Sequence, residues 1–222
     1  MSFDLSALVS TAPALLQGIW LTGLITFLAF VAASLFGFLG ASVSWSNARI
    51  AAYCSKAYIQ LARATPEMIA IFWAYYCLPI LLGASLSGVT CGVLALGLIG
   101  GGYMAEIIRG GVQAVERGQW EAASSLGLPR YITWSHIIAP QAIRKMLPAI
   151  LNYFTDLLKA TTLLAGIGVS EVAYAAYVSG SASFRYLEPL TGVAILFFLI
   201  IFPLSVWARH LNSSSHIHPK SK

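Results

Sequence analysis

QWEAASSLGLPRYITWSHIIAPQAIRKMLP, residues 119–148, is the one long, charged, helix-forming segment that interrupts the apolar runs of this chain. Glu121, Ala122 and Ala123 lead to Gly127 six residues past the glutamate, and Ile137 stands three residues before Pro140. Gln119 to Leu126 reads as a short helix closed by Gly127, because a residue without Cβ enters the left-handed conformation of helix ends without steric cost. Pro129 can start a second helix, and Pro140 is expected to interrupt it. The expectation is two short helices at an angle on one face of a membrane. Ala122 and Ala123 would keep that surface low enough for another protein to approach, with Trp120 and Leu126 as apolar anchors. The competing reading is an amphipathic helix resting on the bilayer, which the small residues and tight glycine corner disfavour by limiting insertion depth.

The chain as a whole has 222 residues, 58% hydrophobic and 9% charged, far below the roughly 25% charge of soluble domains. It reads as an all-α integral membrane protein, with one membrane domain over 1–210 and a polar tail over 211–222. The formal net charge of +5 could suggest nucleic acid, but the cations lie between apolar spans rather than on one basic face, so nucleic acid is not an expected partner. Cys54, Cys77 and Cys91 stand singly without metal or redox spacing and are expected to be small buried hydrophobes. The amino-terminal stretch carries Asp4 and no cationic region, so no cleavable signal is expected.

Spans of about 20 residues are expected at Leu15–Ala41, Glu67–Leu82, from Val89 through VLALGLIGGGYMAEII, at Leu147–Gly166 and at Leu187–Val206. Thr65, Pro66 and Glu67 read as the start of the second. The stretch with Arg49, Lys56 and Arg63 and the stretch from Glu171 to Arg185 read as connections. Gly100, Gly101 and Gly102 imply either close packing or local unwinding. If five spans alternate, every Lys and Arg except Lys159 and Arg185 falls on one side, which the positive-inside rule makes cytoplasmic. The amino terminus is then periplasmic and the carboxyl terminus cytoplasmic. The tail from Arg209 reads as disordered, its His216 and His218 as solvated polar residues rather than metal ligands.

The spacing of Glu121, Ala122, Ala123, Gly127, Ile137 and Pro140 resembles the cytoplasmic "EAA" coupling loop of ABC importer permeases, departing at Ala139 where leucine is usual. RATPEMIAIFWAYYCLP (63–79), GGYMAEIIRGGVQAVERGQWEAA (101–123) and PQAIRKMLPAILNYFTDLLKATTLLAGIGVSE (140–171) are similar to the polar amino acid subfamily, which includes opine carriers. Departures stand at Ala64, where glycine is usual, and at Ala160, where an acid often follows the lysine. The resemblance implies a type I importer permease in a bacterial inner membrane, with five transmembrane helices and a coupling loop over about 116–147. Its implied partners are two ATP-binding subunits, a second permease (identical or homologous), a periplasmic solute-binding protein, an amino acid solute and membrane lipid. The coupling residues it implies are Trp120, Glu121, Ala122, Ala123, Leu126, Gly127 and Pro140. It implies no cofactor here, ATP and magnesium being bound by the partner subunits. No GxxxxGK[ST] run occurs in the chain, so the phosphate cradle of an ATPase is missing.

Charges within a span are costly and need a reason. Lys159 lies about 18 Å of helix beyond Leu147, near the middle of a roughly 30 Å core, and Asp156 is one turn earlier. Two readings stay open: the pair simply neutralise one another, or Lys159 faces a permease dimer interface and receives the solute carboxylate, helped by Thr161 or Thr162. Ala160 offers no acid beside the lysine, which favours a neutral or zwitterionic solute. Glu67, Glu106 and Arg109 read as structural or gate-forming, Glu106 and Arg109 being spaced to pair. An ion-driven carrier fits less well, with an odd span number and no internal duplication. A membrane enzyme lacks any triad, metal cluster or carboxylate pair, and His136 alone reads as a surface residue.

Overall fold

Close contact between helices lined with small residues organises the computed structural model, which describes residues 3–214. Among them the elements are helical: α1 (Leu5–Ser44), α2 (Arg49–Ala64), α3 (Glu67–Tyr76), α4 (Leu78–Leu82), α5 (Gly88–Gln113), α6 (Arg117–Ser125), α7 (Arg130–Ile132), α8 (Ala139–Ala160), α9 (Val172–Ser183) and α10 (Leu187–Ser214). A π-helical turn at Thr133–Ile138 joins α7 to α8, and a 3-10 turn at Thr161–Ile167 follows α8.

Helix α1 buries Leu15, Gly18, Thr22, Ile25, Thr26, Ala29, Ala33, Gly37, Gly40 and Ala41, a three-and-four repeat that forms one stripe. From Ile25 to Ala41 that stripe meets α5, where glycine and alanine on both sides bring the backbones together, the usual basis of helix association in lipid, while Leu15 and Gly18 pack against Val172 of α9. The glycine triplet settles into close packing, with α5 unbroken through it. A Cβ on Gly100 would lie 2.7 Å from Ala33 Cβ, and one on Gly102 would lie 2.7 Å from Ala62 Cβ. The core then continues through Ile71 and Ala74 of α3, Cys91, Ala95 and Leu96 of α5, Tyr153 and Leu157 of α8, and Leu164.

At 40 residues, α1 extends about 60 Å, twice the roughly 30 Å core. It starts ten residues before the expected span, because Asp4 caps it by accepting from the Ser6 amide at 2.9 Å. The Ser6 hydroxyl and amide together hold the Asp4 carboxyl below its usual range. This end is clasped to the α9–α10 turn: Arg185 meets Asp4 at 3.5 Å and buried Glu188 at 2.5 Å, while the Asp4 amide donates to Glu188 at 3.1 Å. The other end sets Trp45 at a tilt against Trp134, whose ring also meets Trp120 edge-on. The amino terminus and the 119–148 segment therefore lie at opposite ends of α1.

Several expectations are corrected. The connection after α1 is the helix α2, burying Ala52, Ser55, Ile59 and Ala62; Ser55 donates to the Gly40 carbonyl at 2.6 Å. Thr65 does not cap α3 but closes α2, its hydroxyl bonding the Leu61 carbonyl at 2.8 Å. The connection from Glu171 to Arg185 contains α9, capped by Glu171, which accepts from the Ala173 and Tyr174 amides. Helix α10 continues to Ser214, through the start of the tail expected to be disordered; His216, His218, Lys220 and Lys222 lie outside the described residues. Of the three cysteines only Cys91 is buried, whereas Cys54 is exposed and Cys77 half-buried.

Among the described residues, α1, α5 and Leu187–Leu211 are each long and apolar enough to cross a bilayer. Arg130–Ile167 with Val172–Ser183, bent by 46°, adds a fourth if counted as one span. The expected span at Glu67–Leu82 is divided at Cys77, and its first piece of 10 residues covers only about 15 Å.

Candidate functional site

At the α6 corner, Gly127 adopts φ +64°. Its amide donates to the Ser124 carbonyl at 3.0 Å and the Leu128 amide to the Ala123 carbonyl at 3.1 Å. These are the two reversed bonds that close a helix on a left-handed residue, as the sequence predicts for this glycine. Helix α6 starts at Arg117, two residues before the expected boundary.

The faces of α6 are distributed differently from expectation. Ala123, 2% exposed, points into the protein, and Trp120 is half-buried against Val115, Ile138 and Ala142. Ala123 is turned away from any partner, and Trp120 holds α6 onto the π turn and α8 through Ile138 and Ala142 while keeping part of its surface free. A hydrogen bond of 3.2 Å from Gln141 to Gln119 adds to that attachment. Glu121, Ala122 and Gly127 are exposed, and Leu126 projects at the corner with 75% of its surface free. Smallness alone left Ala122 and Ala123 indistinguishable; the burial of Trp120 three residues before Ala123 separates them.

Pro140 does not interrupt its helix. It lies exposed in the first turn of α8, just after the π turn, where the Ala139 amide bonds the Trp134 carbonyl five residues back. The wider turn absorbs a residue that has no amide to donate, so the chain runs on as one rod from Arg130 to Ala160. His136 is exposed, its Nδ1 2.7 Å from the Ser135 hydroxyl.

The second constellation lies at the far end of that rod. Lys159 donates to Asp156 at 2.7 Å, with the side chains 55% and 65% exposed. Thr161 is fully buried and bonds the Leu158 carbonyl, and Thr162 bonds the Lys159 carbonyl. Thr161 is thereby removed from any path, while partly exposed Thr162 stays beside it. Ala160 is buried and does not share the face of Lys159, so an acid at that position would not sit beside the amine. At the other end of α5, Arg109 pairs with Glu106 at 2.6 Å, as their spacing predicts, and Arg63 approaches the same carboxylate at 3.5 Å.

What sequence reasoning missed is the continuity of the exposed face of α8. Lys145, Ala149, Asn152, Asp156 and Lys159 are all exposed, recurring every three or four residues along about 21 Å of helix. The opposite face buries Ala142, Tyr153, Leu157 and Ala160, and Tyr153 stacks on Tyr103 at 5.9 Å beneath the polar face. Glu67, in the first turn of α3, lies within electrostatic reach of Asp156. The spacing of the polar residues alone would have revealed this stripe. Charged groups are seldom exposed to hydrocarbon, so the stripe is suited to water or to another protein.

Residues 33–216 match the family described as "Binding-protein-dependent transport system inner membrane component". A "Probable amino-acid ABC transporter permease protein y4tG" from Sinorhizobium fredii is 35% identical over 206 residues, covering 93% of this chain and 89% of that one. The "Glutamine transport system permease protein GlnP" of Escherichia coli is 31% identical over 213 residues, 96% and 97% of the two chains. Among solved structures, a "Crystal structure of an amino acid ABC transporter with histidines" superposes with a TM-score of 0.89 at 31% identity, covering 96% of this chain and 100% of that chain.

Proposed function

Because the chain belongs to the family of inner membrane components of binding-protein-dependent transport systems, we propose that it forms half of an amino acid path, the polar face of α8 being its wall. It is the permease subunit of an ABC importer, working with ATPase and solute-binding partners, and ATP is hydrolysed by separate subunits.

The observation that carries the proposed path is the exposed stripe ending at Lys159 and Asp156. In a single chain this face is open, and desolvating it against lipid would be costly. A second permease, identical or homologous, facing the same stripe would enclose water between them. The amine and carboxylate of the pair are complementary to the two charges of a zwitterion: a solute carboxylate can take the Lys159 amine as its ammonium approaches Asp156. An amino acid or opine is therefore the favoured solute class.

Coupling is assigned to the exposed side of the α6 corner, Glu121, Ala122, Leu126 and Gly127, docking in a groove of one of two ATPase subunits. Trp120 and Ala123 support it from within, and the π turn that accommodates Pro140 keeps α7 and α8 in one rod just beyond the corner. ATP closure would move the corner, and the rod from Arg130 to Ala160 would carry that movement to Lys159. The corner is then cytoplasmic, and the Asp4 end, at the other end of α1, is periplasmic, where the binding protein delivers solute.

The test is uptake of labelled amino acids by proteoliposomes holding the permease with its ATPase subunits, with binding protein outside. Uptake should require enclosed ATP and persist after ionophores collapse all ion gradients. Uptake without nucleotide, or its loss with the ion gradients alone, would refute the reading.

A further inference from the structure

A polar cavity of about 230 Å³ opens at the end of α1 nearest the coupling corner, between α1, α2 and α5. Lys56 and Gln60 of α2, Arg109 and Gln113 of α5, and Trp45 line it. We propose that this cavity holds the phosphate of an anionic phospholipid, whose acyl chain lies along the neighbouring apolar groove. The proposal does not depend on which solute the protein carries.

Charge favours an anion. Glu106, the acidic residue lining the cavity, is engaged by Arg109 at 2.6 Å and by Arg63 at 3.5 Å. Lys56 makes none of the ion pairs found among the described residues. Arg109 uses three N–H groups on Glu106 and Gln113, which leaves two of the five a guanidinium carries. Lys56, those two donors and the amides of Gln60 and Gln113 form a donor-rich pocket with one surplus ammonium. Basic pockets between membrane helices near the cytoplasmic surface are suited to lipid headgroups.

Shape points to a lipid rather than a free ion. Trp45 also lines a groove of about 840 Å³ bounded by Phe30, Phe38, Ile108 and Trp134. The groove is almost wholly apolar and follows α1 from Phe30 to Trp45, about 22 Å by helix rise, somewhat more than one leaflet of a roughly 30 Å core. The polar cavity thus shares Trp45 as a wall with a slot of acyl-chain length. The Trp45 ring lies against Trp134 at a tilt of 42°, and Trp134 meets Trp120 edge-on, so a lipid seated here touches the aromatic cluster that supports α6 and can stabilise the coupling corner.

The test uses the complete transporter, permease with ATPase subunits, in phosphatidylcholine nanodiscs containing or lacking phosphatidylglycerol brominated on its acyl chains. The Trp45 signal is isolated by difference from Trp45→Phe. Brominated phosphatidylglycerol should quench it more than brominated phosphatidylcholine does, and Lys56→Gln, an exposed change, should weaken that preference about fivefold, as expected for one surface lysine. Equal quenching by the two lipids, or a preference that survives Lys56→Gln, overturns the site. A preference abolished by inorganic phosphate overturns the lipid assignment in favour of a free anion. Loss of quenching when a second permease is cross-linked over the groove assigns the groove to the subunit interface and overturns the acyl-chain part. Failure of amino acid uptake under these conditions would count against the transport reading alone, because quenching needs no turnover.

Discussion

Lys159 and Asp156 allow two explanations, mutual neutralisation or solute contact, and the structure provides a way to separate them. The perturbation is the set Lys159→Met, Asp156→Asn and the double variant. The pair is more than half exposed on both sides, so as a structural ion pair in an aqueous path it is worth at most about 1 kcal/mol. Breaking it from one side would then slow transport by less than about fivefold, and the double variant, which leaves neither charge behind, would restore it. If Lys159 instead receives the solute carboxylate, Lys159→Met removes a charge-assisted hydrogen bond of about 1.5–3 kcal/mol. That corresponds to roughly 10- to 150-fold in kcat/KM for uptake, and the double variant stays as impaired as the single. The assay is binding-protein-dependent uptake in proteoliposomes, with ATPase co-purification as a control for assembly. Recovery to within about twofold in the double variant, or unchanged uptake by Lys159→Met, would refute solute contact.

Gly127 has open space around a built Cβ but φ +64°, so Gly127→Val should cost about 1–3 kcal/mol of local strain and lower ATPase co-purification, while Gly127→Asn stays near wild type; equal capture of ATPase by both would refute the corner. Leu126→Asp should leave the thermal midpoint in detergent unchanged and abolish ATPase capture, because Leu126 is 75% exposed. Ala123→Leu should do the reverse, destabilising by about 1–3 kcal/mol through overpacking; a stable Ala123→Leu that loses the ATPase would show that this residue faces the partner after all. Gly100→Val should lower the thermal midpoint, since the new side chain meets Ala33 and Tyr153 at about 1–3 kcal/mol against a helix gain of roughly 0.4 kcal/mol. Gly110→Val, with nothing within 4 Å, is the control that should not move it.

Legibility in the sequence followed how many physical solutions each residue allowed. The corner at Gly127 was readable because a left-handed helix end admits few residues besides glycine. The pairing of Glu106 with Arg109 was readable because three residues of helix bring them together whatever surrounds them. Helix α2 was missed because its buried stripe is Ala52, Ser55, Ile59 and Ala62, too small and polar to stand out as apolar periodicity. Ala123 was taken as surface because alanine suits a shallow docking face and a tight interior contact equally well. Pro140 was taken as a break because the remedy, a π turn beginning seven residues earlier at Thr133, leaves no residue signature of its own. Thr161 was assigned to the path beside Lys159, but the 3-10 turn that begins there turns it into the core.

That same turn bears on how motion at the corner could reach the solute. From Arg130 to Ala160 the backbone is helical without interruption, about 46 Å at 1.5 Å per residue, and immediately beyond Lys159 it tightens into the 3-10 turn and ends at Gly168, φ +77°. The rod is α-helical from Ala139 to the charged pair and 3-10 just after it, a change of winding that favours bending there. The bent junction with α9 at 46° and the clasp of Arg185 on Asp4 and Glu188 hold the chain beyond that point to the start of α1. In the proposed mechanism, displacement of α6 therefore changes the angle at residues 160–168 rather than sliding α8 past its neighbours. The pair at Asp156 and Lys159 sits on the moving side of that hinge, so its exposure would differ between the outward and inward states while the Asp4 clasp stays fixed.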